Sequence, residues 1–165
     1  MPKLSPWLAR AAAVAAVAAS LTVGSASAAP SDSVLAEQAQ VVDLVNQQRA
    51  AAGLAPLAIN DQLESDAQAY AEYMATANFF AHEAPDGTDA RGRAEAAGYT
   101  TWTFLAENLH AGRKTPAAVV DAWMNSPAHR ENILAADAHE VGLGHAFGPN
   151  SKYGNYWVLE FGTRW

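Results

Sequence analysis

Apolar positions follow a helical spacing in the first two thirds of the chain and a strand spacing in the last third. Between Val34 and Ala52, the residues Val34, Leu35, Val41, Val42, Leu44 and Val45 stand among Gln and Asp, and Gly53 follows as a natural stop. Leu54–Ile59, broken by Pro56, reads as a short extended link. Asn60 is a fitting N-cap for a second helix. Leu63, Ala67, Tyr70, Ala71 and Met74 form one face of that helix, with Glu64, Asp66, Gln68 and Glu72 on the other. Thr88 or Asp89 opens a short helix to about Ala97, ended by Gly98. Tyr99–Leu109 mixes Trp, Phe and Thr, which suits a strand or an ordered loop. Thr115-Pro116 places a capping hydroxyl before proline at the first helical position, and that helix runs to about Asn125. Ser126-Pro127 starts a further short helix, carrying His129 and ending near Leu134.

The period then changes to two. Val141, Leu143, His145 and Phe147 alternate with Gly142, Gly144 and Ala146, and Tyr156–Trp165 is a second, aromatic-rich strand beyond a Gly/Pro/Asn loop. These predict an antiparallel hairpin. Helices followed by a hairpin predict an α+β fold with helices packed on a small antiparallel sheet. No internal repeat and no long linker interrupts the chain.

The amino-terminal stretch changes the picture of where the protein works. Lys3 and Arg10 precede a charge-free apolar run, Ala11–Val23, and Ala26-Ser27-Ala28 fits a small-residue cleavage pattern. Residues 1–28 are expected to be a secretory signal peptide, and 29–165 a single domain with a short flexible lead-in at 29–33. The competing reading is a retained membrane anchor. The expected location is extracellular. The leader takes two of the 10 basic residues and none of the 17 acidic ones, leaving an excess of nine negative charges. Without clustered Lys and Arg, nucleic acid and anionic membranes are poor partners. Cysteine is absent, so disulfides, cysteine nucleophiles and cysteine-ligated zinc are excluded.

Candidate chemistry gathers around Phe79-Phe80-Ala81-His82, which leads into the turn Pro85-Asp86-Gly87. The two aromatic rings are expected to anchor His82 at the edge of a packed body. Ala106-Glu107-Asn108-Leu109 and Trp123-Met124-Asn125-Ser126-Pro127-Ala128-His129 are expected to meet it in one polar cleft. Neutral imidazoles are common zinc ligands, so His82 and His129 are candidates for a divalent ion. The alternative is two surface histidines capping turns. Glu107 lies among apolar neighbours, where it either holds an imidazole N–H or accepts backbone N–H bonds. Asn108 reads as structural. His139, Glu140 and His145 lack the spacing of a zinc protease, and Ser126 and Ser151 lack a nucleophile-elbow pattern. His110 is expected in solvent, and Glu160 toward either the cleft or solvent.

These motifs, taken in order with Val45-Asn46-Gln47-Gln48-Arg49-Ala50, Glu131-Asn132-Ile133-Leu134, Val141-Gly142-Leu143-Gly144 and Tyr156-Trp157-Val158, resemble the CAP superfamily over about Val41–Trp165. That superfamily comprises cysteine-rich secretory proteins, venom antigens and plant pathogenesis-related proteins, and the chain is most similar to its cysteine-free secreted bacterial branch. The resemblance implies a three-layer α-β-α sandwich around a central antiparallel sheet. It places the family's two cleft histidines on His82 and His129 and its first acid on Glu107, with the carboxylate supporting the ion from behind a ligand or through water. Its second acid falls on Ser126, which implies a weak, exchangeable metal such as zinc rather than a structural one. The implied function is a monomeric, non-catalytic module binding a small apolar ligand, a lipid or sterol-like molecule, a metal or a cell-envelope partner. The alternative is a metal-assisted ester or peptide hydrolase with Glu107 as its base, and a plainer one is a cluster that only ties loops together.

Overall fold

The computed structural model describes residues 32–165; the expected leader lies outside them. The elements are α1 (Asp32–Ala51), β1 (Ala58–Ile59), α2 (Asp61–Ala77), α3 (Ala90–Ala96), β2 (Trp102–Ala111), α4 (Pro116–Met124), α5 (Pro127–Ile133), β3 (Glu140–Phe147) and β4 (Asn155–Arg164). Local chemistry accounts for the helix starts. Asn60 accepts from the N–H groups of Gln62 and Leu63, Asp89 from Gly92 and Thr115 from Ala118, satisfying donors left open in each first turn.

The sheet runs β1-β3-β4-β2. β3, β4 and β2 are antiparallel neighbours, as the pattern predicts. These three strands form the expected small antiparallel sheet, and the two-residue β1 adds a parallel neighbour to β3, making the sheet mixed. The expected link at 54–59 gains this strand because Ala58 donates to the His139 carbonyl and Asn60 to that of Val141.

Helices cover both faces, giving the three-layer α+β sandwich. On one face Val41 and Val45 of α1, Val120 and Trp123 of α4 and Ile133 of α5 pack on Val141, Leu143, Trp157 and Leu159. On the other, Ala67, Tyr70, Ala71 and Met74 of α2 pack on Leu109, Ala146, Tyr156 and Val158. Arg49, 1 % exposed, donates to the carbonyls of Ala55, Ile133, Ala135 and Ala138, which ties the end of α1 to the segment carrying α5.

The glycines of β3 have a packing cause. A Cβ on Gly142 would lie 2.2 Å from the Leu63 backbone, and one on Gly144 would lie 2.1 Å from the Ala67 carbonyl oxygen. The α2 backbone therefore rests directly on β3, and this close approach fixes the height of α2 over the sheet. Gly144→Ala is expected to destabilise the protein by about 1–3 kcal/mol or more, since the obstruction is backbone and cannot rotate away. Urea unfolding measures it; a stability equal to wild type would contradict the packing described.

Candidate functional site

The segment between α2 and α3 carries His82. Asn78 ends α2 in a left-handed conformation at φ 56°, and the turn at 84–87 closes with the Gly87 N–H on the Ala84 carbonyl at 2.8 Å, Gly87 holding φ 88°. Only one of the two expected anchors packs against the core, and it is partly buried. Phe79 packs edge-on against Tyr70 and Tyr73, whereas Phe80 is exposed and rests on Tyr153. A further anchor comes from Tyr70, whose hydroxyl donates to the Ala81 carbonyl at 2.7 Å.

His82 reaches Glu107 from this loop. Its Nδ1 lies 2.7 Å from Glu107 Oε1, with the imidazole side chain 62 % exposed and the carboxylate buried. Of the two sequence readings of Glu107, the structure has the one in which it holds an imidazole. Its other oxygen, Oε2, accepts from Arg93 of α3. The same guanidinium donates to the His82 carbonyl at 3.1 Å, lies 3.4 Å over the Tyr70 ring, and stands 3.8 Å from Asp66 Oδ1. Arg93 thus joins the His82 loop, the edge strand and α2.

Beneath this pair lies an acid that sequence reasoning misplaced. Glu160 of β4 sits directly opposite Glu107 of β2 and is 1 % exposed, so it faces α2 rather than the cleft or solvent. Asp66, expected on the polar face of α2, is also buried. The pattern held a clue, because Asp66 lies at i+3 from Leu63 and i−4 from Tyr70, on the inward stripe. The two Glu160 oxygens and Asp66 Oδ2 have no hydrogen-bond donor among the described residues. Two ionised carboxylates have no donor for one another, but a protonated Glu160 donates to Asp66. Burial first, then the charge of Asp66, pushes Glu160 well above the ordinary carboxylate range, and burial also raises Asp66.

His129 occupies α5, on the far side of the β2 edge. Asn108, fully buried on the opposite face of β2 from Glu107, donates to the His129 carbonyl at 2.9 Å and accepts from Asn132 at 2.8 Å, the structural role expected of it. Burial, and then the charge of His82, lower the His129 pKa, so that ring stays neutral where His82 holds a proton. The hydrogen bond to Glu107 raises His82, opposed by burial and by Arg93. His110 is half-buried rather than in solvent, and burial, Arg113 and His129 lower its pKa. Ser126 begins α5 without a side-chain cap bond.

A cavity of about 470 Å³ opens beside His82 and Glu107, walled by Ala90 and Arg91 of α3 and floored by Trp102, Leu105 and Ala106 of β2. A cavity of about 540 Å³ lies elsewhere, between the end of α2 and the β3–β4 loop at Phe147–Ser151, and contains none of the candidate residues. The donor set suits a divalent ion only loosely. His82 Nε2 is left open while Glu107 holds Nδ1, and His129 is a neutral imidazole, yet among the described residues no three His, Asp or Glu side chains are grouped to hold a metal.

Residues 42–161 match the sequence model of the Cysteine-rich secretory protein family, CAP. The chain belongs to the CAP family. The Bacillus subtilis protein YkwD is 37 % identical over 133 residues, covering 81 % of this chain and 49 % of its own length. The Bacillus subtilis membrane protein YlbC is 30 % identical over 105 residues, covering 64 % of this chain and 30 % of its own. The chain thus spans half or less of these relatives. Among solved structures, an outer surface protein of Borrelia burgdorferi superposes with a TM-score of 0.72 at 25 % identity, covering 79 % of this CAP chain and 94 % of that one. The SCP domain of an extracellular Bacillus anthracis protein gives 0.70 at 24 % identity, covering 79 % and 41 %, and supports the fold. No helix among the described residues is long and apolar enough to cross a membrane.

The buried acid pair generates a pH prediction for this CAP domain. An acid whose folded pKa lies above its unfolded value keeps, in the folded chain, a proton that the unfolded chain has released. Glu160 therefore costs stability progressively as pH rises above 4.5, its ordinary value. Glu160→Gln keeps a donor toward Asp66 and carries no charge, so its melting temperature is expected to exceed that of wild type at neutral and mildly alkaline pH. The two should converge in acid. A variant less stable than wild type across the whole range would show that Glu160 is paired by something else.

Proposed function

We propose that the protein is exported and acts as a non-catalytic binding module, with the His82–Glu107 cleft as its ligand site. The carrying observation is that both Glu107 oxygens are engaged, one by His82 and one by Arg93. A general base needs an acceptor free to take a proton from water or substrate. Glu107 is instead built to orient His82, as carboxylates behind metal-binding histidines do. This favours binding over the alternative of metal-assisted ester or peptide hydrolysis, in which Glu107 would be the base.

Within this reading His82 Nε2 and His129 hold a divalent ion such as zinc weakly, Glu107 acting through the His82 ring. When bound, the ion supplies a Lewis-acidic anchor for an oxygen-bearing ligand. The apolar part of a small ligand, or of a cell-envelope partner, rests on Trp102, Leu105 and Ala106 beside it. Export is supported by the basic start, apolar run and Ala26-Ser27-Ala28 pattern of the sequence and by the names of the structural neighbours.

Zinc titration followed by the ring C–H resonances of His82 and His129 tests the site. Both rings are expected to shift together in fast exchange, and the response should disappear in acid, where protonated His82 competes with the ion. Unmoved His82 and His129 resonances at millimolar zinc would contradict the metal reading. Ester or peptide turnover abolished by Glu107→Gln would restore the hydrolase.

A further inference from the structure

β2 is an edge strand, and its outer side is closed along only part of its length. In an antiparallel pair, alternate residues turn both backbone groups toward the partner and the others turn both away. The Gly112 N–H donates to the Asn155 carbonyl, which sets the phase of the ladder. By the pairing register, Phe104, Ala106, Asn108 and His110 then turn toward β4, while Leu105, Glu107 and Leu109 turn outward. Two contacts agree with that phase. The Leu109 carbonyl accepts from Trp123 Nε1 at 3.1 Å, and the Glu107 carbonyl from Asn132 Nδ2 at 3.4 Å. Helices α4 and α5 thereby close the distal half of the edge, as exposed edges usually are closed.

The proximal half is open. The Leu105 N–H and C=O and the Glu107 N–H point outward with no protein partner among the described residues, and the 470 Å³ cavity runs along them. We propose that this edge takes an extended polypeptide segment as an added strand, its backbone pairing with Leu105 and the Glu107 N–H. A donor, an acceptor and a donor in line at strand spacing match the backbone of an extended peptide, and side chains on alternate residues then supply selectivity. A guest side chain on the α3 side meets Leu105 and Trp102, whose ring is covered by the Arg91 guanidinium at 4.9 Å, so an apolar residue fits opposite Leu105. The strand's end falls beside His82. This inference rests on the cleft being a ligand site and names a polypeptide as its occupant.

Amide hydrogen exchange of the ¹⁵N-labelled protein tests it, with millimolar pools of end-capped hexapeptides of randomised sequence as the probe. The Leu105 and Glu107 amides are expected to slow by roughly tenfold or more, and a pool N-methylated at every residue, with no donor left on either edge, should leave them unchanged. Leu105→Pro removes an outward N–H that the ladder does not use, and should abolish protection at Glu107; Leu105→Ala should retain it. Should the proline variant fail to fold, the N-methylated pool and Leu105→Ala still decide the matter. Unchanged exchange at both amides, equal protection by the N-methylated pool, or protection by oligosaccharides in place of peptides would overturn the proposal. A zinc response at His82 without peptide protection overturns the added strand alone, whereas loss of both overturns the cleft reading on which it rests.

Discussion

A single carboxylate, Glu107, holds the cleft together. It stands on an edge strand and is gripped by a loop histidine on one oxygen and by Arg93 on the other. Burying a charge is tolerable only when its remaining hydrogen-bonding capacity is met, and here partners from two other elements meet it. The consequence is architectural. Phe79 and the buried Ala84 are the apolar anchors on either side of His82, and between them the Glu107–Arg93–Tyr70 group fixes where the imidazole stands.

The charge balance around Arg93 explains why a third acid can lie underneath. Asp66 and Glu107 as carboxylates face one guanidinium, and a charged Glu160 would leave the group strongly negative in a buried place. A proton on Glu160 removes that excess, and a proton on His82 balances what is left. The two histidines shift in opposite directions. The hydrogen bond to Glu107 draws His82 toward its charged form, whereas burial, and then the charge of His82, hold His129 toward its neutral form. The two rings are thus shifted apart, His82 toward its protonated form and His129 toward the free base.

The fold was largely legible in the chain because its determinants are local. Asn60, Asp89 and Thr115 cap the helices they precede, and Gly142 and Gly144 recur on one side of a strand because a helix backbone lies against them. The short parallel strand at Ala58–Ile59 was not legible, since two residues carry no periodicity and the pairing depends on His139 and Val141, far along the chain. At the site, motif order marked His82 and Glu107 as neighbours in one cleft, but their hydrogen bond was one of two open readings of Glu107. Arg93 did not, because nothing near Ala90–Ala96 marks one arginine as buried and the other, Arg91, as part of the cleft wall. Glu160 was ambiguous for a physical reason. In a strand covered on both faces, alternation with apolar residues no longer means solvent.

The account stands or falls on the hold that Glu107 has on His82, and proton titration of the two histidines' ring resonances reads it directly. In the wild-type protein His82 should titrate above the ordinary 6.5 and His129 below it, and Glu107→Gln should bring His82 down toward that value. The stability supplied by charged His82 would then be present below 6.5 and fade as pH rises through its folded pKa, a dependence that the variant should lose. Two wild-type histidines titrating together near 6.5, unchanged by removing the Glu107 charge, would contradict the account.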